Sequence, residues 1–190
     1  MRKSKQETAA TRARIIKAAA AEFRRDGIAG VGLNDFMAAA GLTHGGFYRH
    51  FSSKDQLVKE ALAAALDEQL TRLLQAKTET RADDTRAAAV GIYLSPSQRD
   101  DPANSCPLAM LGSELARCNE DTRRVLTDGF LRLAAIFAER QAGPSTSEAQ
   151  PHGMIAVATM IGALMMSRVM TDTKLSDVLL AAAKKAVLAG

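Results

Sequence analysis

Residues 33–54 read LNDFMAAAGLTHGGFYRHFSSK, and the fold is decided there. Phe36, Leu42, Phe47 and Phe51 are apolar at spacings that let two short helices bury one shared face. Gly32 takes the N-cap place of the first helix, residues 33–40, and Gly41 is its left-handed stop. Thr43 caps the second, residues 44–51. Among and beyond the apolar positions stand Thr43, His44, Tyr48, Arg49, His50 and Lys54, polar-tipped and mostly donors. Two stubby helices with a glycine joint and an outward row of donors make a helix-turn-helix, the element that enters a DNA major groove.

Helical signals continue on both sides. Ile15, Ala19 and Phe23 recur every four residues in a helix over 8–26 that Gly27 ends, behind a basic arm of Arg2, Lys3 and Lys5. Ser53, with Gln56 three places on, forms a capping box for a long helix reaching about residue 76. Further helices are predicted over 83–95, from Cys106-Pro107, from Asn119 to about 141, over 147–171, and over 177–188 behind Ser176. Residues 96–105 (PSQRDDPANS) read as a loop and 142–146 (AGPST) as a linker. Alanine runs favour helix, and no period-two strand pattern occurs. The expectation is an all-α chain of about nine helices. Residues 1–53 form a DNA-binding helix-turn-helix domain, and 54–190 an effector-binding and dimerisation domain.

The formal charge is +4, and its distribution says more than its size. Ten Lys/Arg stand against five acids through Val58, while 15 face 16 beyond it. Positive potential therefore coincides with the helix-turn-helix, as phosphate attraction requires. The start, MRKSKQET, lacks the apolar stretch of a signal peptide. The longest apolar run, residues 154–166, is shorter than a bilayer span of roughly 20 residues. Cys106 and Cys118 have neither disulfide-scaffold nor metal-ligand character. A cytoplasmic protein without membrane contact, metal or cofactor is expected.

The stretch GLTHGGFYRHFSSKDQL, preceded by a helix carrying Phe23 and Gly27, closely resembles the TetR/AcrR family of one-component bacterial transcription regulators. That resemblance implies a homodimer, a palindromic operator and a divergent C-terminal region that binds a small effector. By position in the motif, Tyr48 and Lys54 match residues that grip phosphates, with His50 beside them. Thr43, His44, Gly45, Gly46 and Arg49 match the face that meets base edges, and Asn34 completes the DNA-facing set. The chemistry agrees, since an arginine can hold guanine O6 and N7 together. Gly32 departs from the family's usual Ser or Thr and removes one side-chain phosphate contact.

In the second half, residues 154–170 are apolar nearly all round, so a partner subunit is expected to cover part of that helix; the last two helices of each chain would form a four-helix dimer interface. Tyr93, Cys106, Met110, Phe130, Phe137 and His152 are candidates to line a pocket for an apolar or electrophilic effector. Cys106, at a predicted helix start, is expected to have a lowered thiol pKa and to sense thiols or electrophiles. Two readings compete with a ligand-released repressor. One is a thiol enzyme with Cys106 as nucleophile and His152 as base; the other is a helical binding module that has lost operator recognition.

Overall fold

The computed structural model describes residues 5–79, 85–138 and 146–189, and among them there are helices and turns but no strand. In chain order these are α1 (Lys5–Asp26), α2 (Leu33–Ala39), the 3-10 helix η1 (His44–Arg49), α3 (Lys54–Glu79), α4 (Thr85–Tyr93), α5 (Pro96–Asp100), η2 (Pro102–Asn104), α6 (Pro107–Leu111), η3 (Gly112–Arg117), α7 (Glu120–Ala138), α8 (Thr146–Val169) and α9 (Thr173–Ala189). Of the linker expected at 142–146, residues 142–145 lie outside the described residues, as do Arg2 and Lys3 of the basic arm, while Thr146 opens α8.

The spine is α3, which packs against α1 on the N-terminal side and against α4 and α7 on the other. Its stripe of Leu57, Ala61, Leu62, Ala65, Leu66, Leu70 and Leu73 is buried throughout. One hydrophobic cluster thus runs from Ile15 to Val187 through both halves. Helix α8 packs on α7 and α9. A Cβ at Gly153 would collide with the Ala134 carbonyl, so the α7–α8 crossing requires glycine there. The stretch Gln150–Val169 is long and apolar enough to cross a bilayer by length and composition, more than its 13-residue unbroken run suggested. It lies in the bundle, with Val157, Met160 and Leu164 fully buried.

Local chemistry moved several boundaries. Residues 96–105 hold two short helices rather than a loop: Ser95 Oγ accepts from the Gln98 amide at 3.2 Å, with Pro96 at the first helical position. The helix opening at Pro107 lasts five residues and breaks at Gly112, whose φ is +44°. Asp172, not Ser176, caps the last helix, its Oδ1 accepting from the Lys174 amide at 2.8 Å. Ser176 is buried inside α9 and donates to the Ser167 carbonyl. Ser53 Oγ accepts from the Gln56 amide as expected, but the Gln56 side chain returns to the Ser52 amide. The Asn119 cap of α7 forms as read, Oδ1 accepting from the Thr122 amide at 2.9 Å.

Candidate nucleic-acid interface

Four phenylalanines build the base of the site. Phe23 meets Phe36 edge-on with ring centres 6.0 Å apart, Phe36 lies 5.8 Å from Phe47, and Phe47 stacks on Phe51 at 5.6 Å. All four are buried, which locks α1, α2 and η1 into one rigid body. The turn between α2 and η1 closes at Gly41, with φ +68°. There the Leu42 amide donates to the Met37 carbonyl and the Gly41 amide to that of Ala38, each at 2.8 Å. This double bond pattern needs a left-handed residue, which is why glycine stands there.

On this base the outward side chains face solvent, Tyr48 resting edge-on against Phe47 with ring centres 5.1 Å apart. Tyr48 is 68% exposed, and Asn34, Thr43, His44, Gly45 and Arg49 are exposed as well. Gly46 and His50 are half-buried. Thr43 has N-cap geometry, but its hydroxyl makes no capping bond. The reading helix is a six-residue 3-10 helix ending at Arg49, shorter than the eight-residue helix the sequence suggested. A methyl group at Gly45 would meet nothing within 4 Å, and one at Gly46 only the tip of Met37 at 3.6 Å. Internal packing therefore does not demand glycine at either position.

Lys54 has partners within the chain that the sequence did not suggest. Its ammonium donates to the carbonyls of Ile28 at 2.8 Å and Val31 at 2.6 Å, and the side chain is half-buried. It pins the loop between α1 and α2 to the start of α3, so its first task in the free protein is to hold the reading head together. Gly32, lacking a side chain, donates its amide to Asp35 Oδ2 at 2.7 Å.

Sequence reasoning passed over three residues that hold this head. Arg12 lies over the Phe51 ring, 4.6 Å from its centre, and donates to the His50 carbonyl and to Glu60 Oε1. Its bond to Glu60 holds that carboxyl below the usual range. The signal was present: Arg12 falls in helical register with Ile15 and Ala19, so a cation rides the apolar stripe. Arg24, 3% exposed, donates to the carbonyls of Ala20 and Ser105. Glu114 accepts from the amides of Ile28 and Ala29. Neither of these last two partnerships leaves a mark in the sequence.

The six effector candidates do not surround one cavity. Tyr93, Cys106 and Phe137 are packed in the core, while Phe130 is half-buried. Met110 lines a cavity of about 540 Å³ with Arg25, Arg99 and Arg168. His152 is exposed on α8. The Tyr93 hydroxyl meets no oxygen or nitrogen partner among the described residues; its neighbour is the Cys106 thiol. Burial pushes the Cys106 thiol up, against the expectation that a helix start would lower it: desolvation outweighs the nearby amides of Leu108 and Ala109. A fully enclosed, protonated thiol is neither a surface sensor nor a nucleophile, and an exposed His152 is no base for it. The ridge, not the cysteine, carries the chemistry.

These features define an all-α protein with a helix-turn-helix built to meet DNA. Comparison with known proteins agrees. The family described as bacterial regulatory proteins, tetR family, matches residues 15–61, and the LmrA/YxaF-like transcriptional regulator C-terminal domain matches residues 88–185. The transcriptional regulator LmrA of Bacillus subtilis is 26% identical over 163 residues, covering 83% of this chain and 86% of its own. A protein of Escherichia coli K12 named a probable acrEF/envCD operon repressor is 39% identical over 59 residues, 31% of this chain and 27% of its own. A TetR regulator from Chloroflexus aurantiacus superposes with a TM-score of 0.73 at 27% identity, covering 96% of this chain and 94% of that one. The chain belongs to the TetR family and is a DNA-binding transcriptional regulator, not an enzyme.

Proposed function

We propose that this regulator works as a homodimer that represses transcription from a palindromic operator until a small effector binds the second domain, with the division between domains at the start of α3. One observation carries the reading: Thr43, His44, Tyr48 and Arg49 stand exposed over a fully buried phenylalanine cluster, on the most basic part of the chain. In this reading Arg49, His44 and Thr43 meet base edges and Gly45 and Gly46 bring the backbone close. Tyr48, Asn34 and His50 meet the phosphate backbone, joined by the Lys54 charge.

The dimer reading rests on α8 and α9. Ile155 and Val169 are each 66% exposed, Val178 is 62% and Leu175 is 53%, with Met165 and Met166 between them. Such a stripe on a soluble chain calls for a cover, and a second copy of the same helices supplies one. The Escherichia coli relative is named a probable operon repressor, and the same role is proposed for this chain. The effector is proposed to enter the second domain beside Met110, in the cavity of about 540 Å³ that Arg99 and Arg168 also line.

The test is selection of a duplex from random sequence by the purified protein, with the particle mass measured by light scattering. A palindromic duplex bound by a species near twice 20.2 kDa is expected. Arg49→Ala should then cost about 1–3 kcal/mol and relax a single base position. Selection of no duplex, or a monomer at micromolar concentration, refutes the reading.

A further inference from the structure

The loop 27–31 between α1 and α2 is held from two sides. From the reading head, the Lys54 ammonium takes the carbonyls of Ile28 and Val31. From η3 in the second half, the Glu114 carboxylate takes the amides of Ile28 at 2.9 Å and Ala29 at 3.3 Å. Gly27, with φ +81°, lies so close that a Cβ there would sit 2.7 Å from Glu114 Oε1. Beside this clasp runs a cavity of about 720 Å³, lined by Ile28, Lys54, Val58, Glu114, Arg117 and Cys118 among others. At this point the two halves meet through hydrogen bonds across a cleft.

A second attachment lies deeper. Arg24, at the end of α1, reaches the Ser105 carbonyl at 3.1 Å and is nearly inaccessible. The Ser105 hydroxyl in turn accepts from Arg168 of α8 at 2.6 Å. Added to the packing of α1 on α3, two such pins restrict pivoting of the head more than either does alone. Arg24 is the deep pin, and Glu114, half-buried and bonded to only two amides, is the outer one.

We infer that Glu114 is a positioning residue for DNA binding: its carboxylate sets the angle of the reading head, acting through the loop and Lys54 on the start of α3. It touches no DNA. The inference rests on the dimeric operator reading above. A residue that sets the angle matters when two heads must land together, because it raises the effective concentration of the second head after the first has bound. It does not matter for one head alone.

The experiment compares wild type, Glu114→Ala and Glu114→Gln on a duplex selected by the wild type, and on the same duplex with one half-site scrambled. Glu114→Ala should lose about tenfold on the intact palindrome and stay within about twofold on the half-site. Glu114→Gln keeps an oxygen acceptor and should recover most of the loss. Amide exchange at Ile28 and Ala29 should quicken in Glu114→Ala and not in Glu114→Gln. Equal losses on both duplexes, no loss, or a gain on the palindrome each overturn the inference. Failure of the wild type to select any palindrome sinks the operator reading instead.

Discussion

Replacing Lys54 by methionine isolates what its ammonium does. Methionine keeps the apolar stem but leaves the Ile28 and Val31 carbonyls, now 2.8 and 2.6 Å from the ammonium, without that donor. A hydrogen bond to a charged group is worth roughly 1.5–3 kcal/mol when well buried. Lys54 is only half-buried, so water recovers part of each bond. About 1–1.5 kcal/mol per bond then remains, or about 2–3 kcal/mol in all. Urea unfolding should show that loss as a lower midpoint at unchanged slope. The salt dependence of duplex binding gives a second readout, because one lost phosphate contact lowers the slope by about 0.9. Stability unchanged to within about 0.5 kcal/mol, with the salt slope reduced by a full contact, would mean the ammonium serves phosphate alone; the loop clamp would then be refuted.

Three further outcomes follow from the same geometry. Gly45→Ala should leave thermal unfolding unchanged or slightly raised, since nothing lies within 4 Å of the added methyl, yet weaken duplex binding at least tenfold; intact binding would remove the close-approach reading. The Glu60 carboxyl sits below its ordinary 4.5 in the folded state, mainly through its bond to Arg12. That contribution is complete above about pH 4.5 and is lost as pH falls through the lower folded value, so Glu60→Gln should flatten the acid side of the stability profile by up to about 1 kcal/mol. Cys106 should resist iodoacetamide in native protein at neutral pH and react only on unfolding, so prompt native labelling would contradict its enclosure.

The reading head was legible because its constraints are local. Phe36, Leu42, Phe47 and Phe51 must share a face, Gly41 must turn left-handed, and donors must point away, all within 22 residues. The capping serine of α3 and the capping asparagine of α7 could likewise be read from side chains within three residues of the amides they serve. What could not be read was set by distant partners. The clamp made by Lys54 went unseen because its carbonyl partners, 26 and 23 residues away, carry no side-chain signal. Glu114 bonds backbone amides 86 and 85 residues away and is equally silent in the sequence. Cys106 was misjudged for a related reason: the helix-start amides do favour its thiolate, but desolvation outweighs them, and the burial that causes it is made by residues distant in sequence. The effector candidates were chosen by residue type alone, which does not distinguish a cavity wall from packed core.

Geometry also explains why an angle-setting contact has leverage in this fold. At 1.5 Å per residue, the 26 residues of α3 make a rod of roughly 39 Å, with the reading head at one end. Rotating such a rod by about 6° about its far end moves the head by roughly 4 Å, more than the 3.4 Å rise of one base step. In a two-fold dimer the partner head moves the same amount in the opposite sense, so the separation changes by up to twice that. A tilt of a few degrees is therefore enough to take two heads out of register with grooves spaced about 34 Å apart. An effector needs only to bind the tilted arrangement better than the straight one; a preference of about 100-fold, or about 2.7 kcal/mol, shifts the balance by the same factor. The two bonds of the Glu114 clasp, half-exposed and individually modest, lie in that energy range. A contact much stronger would hold the heads fixed against any small ligand, and one much weaker would not define their spacing at all.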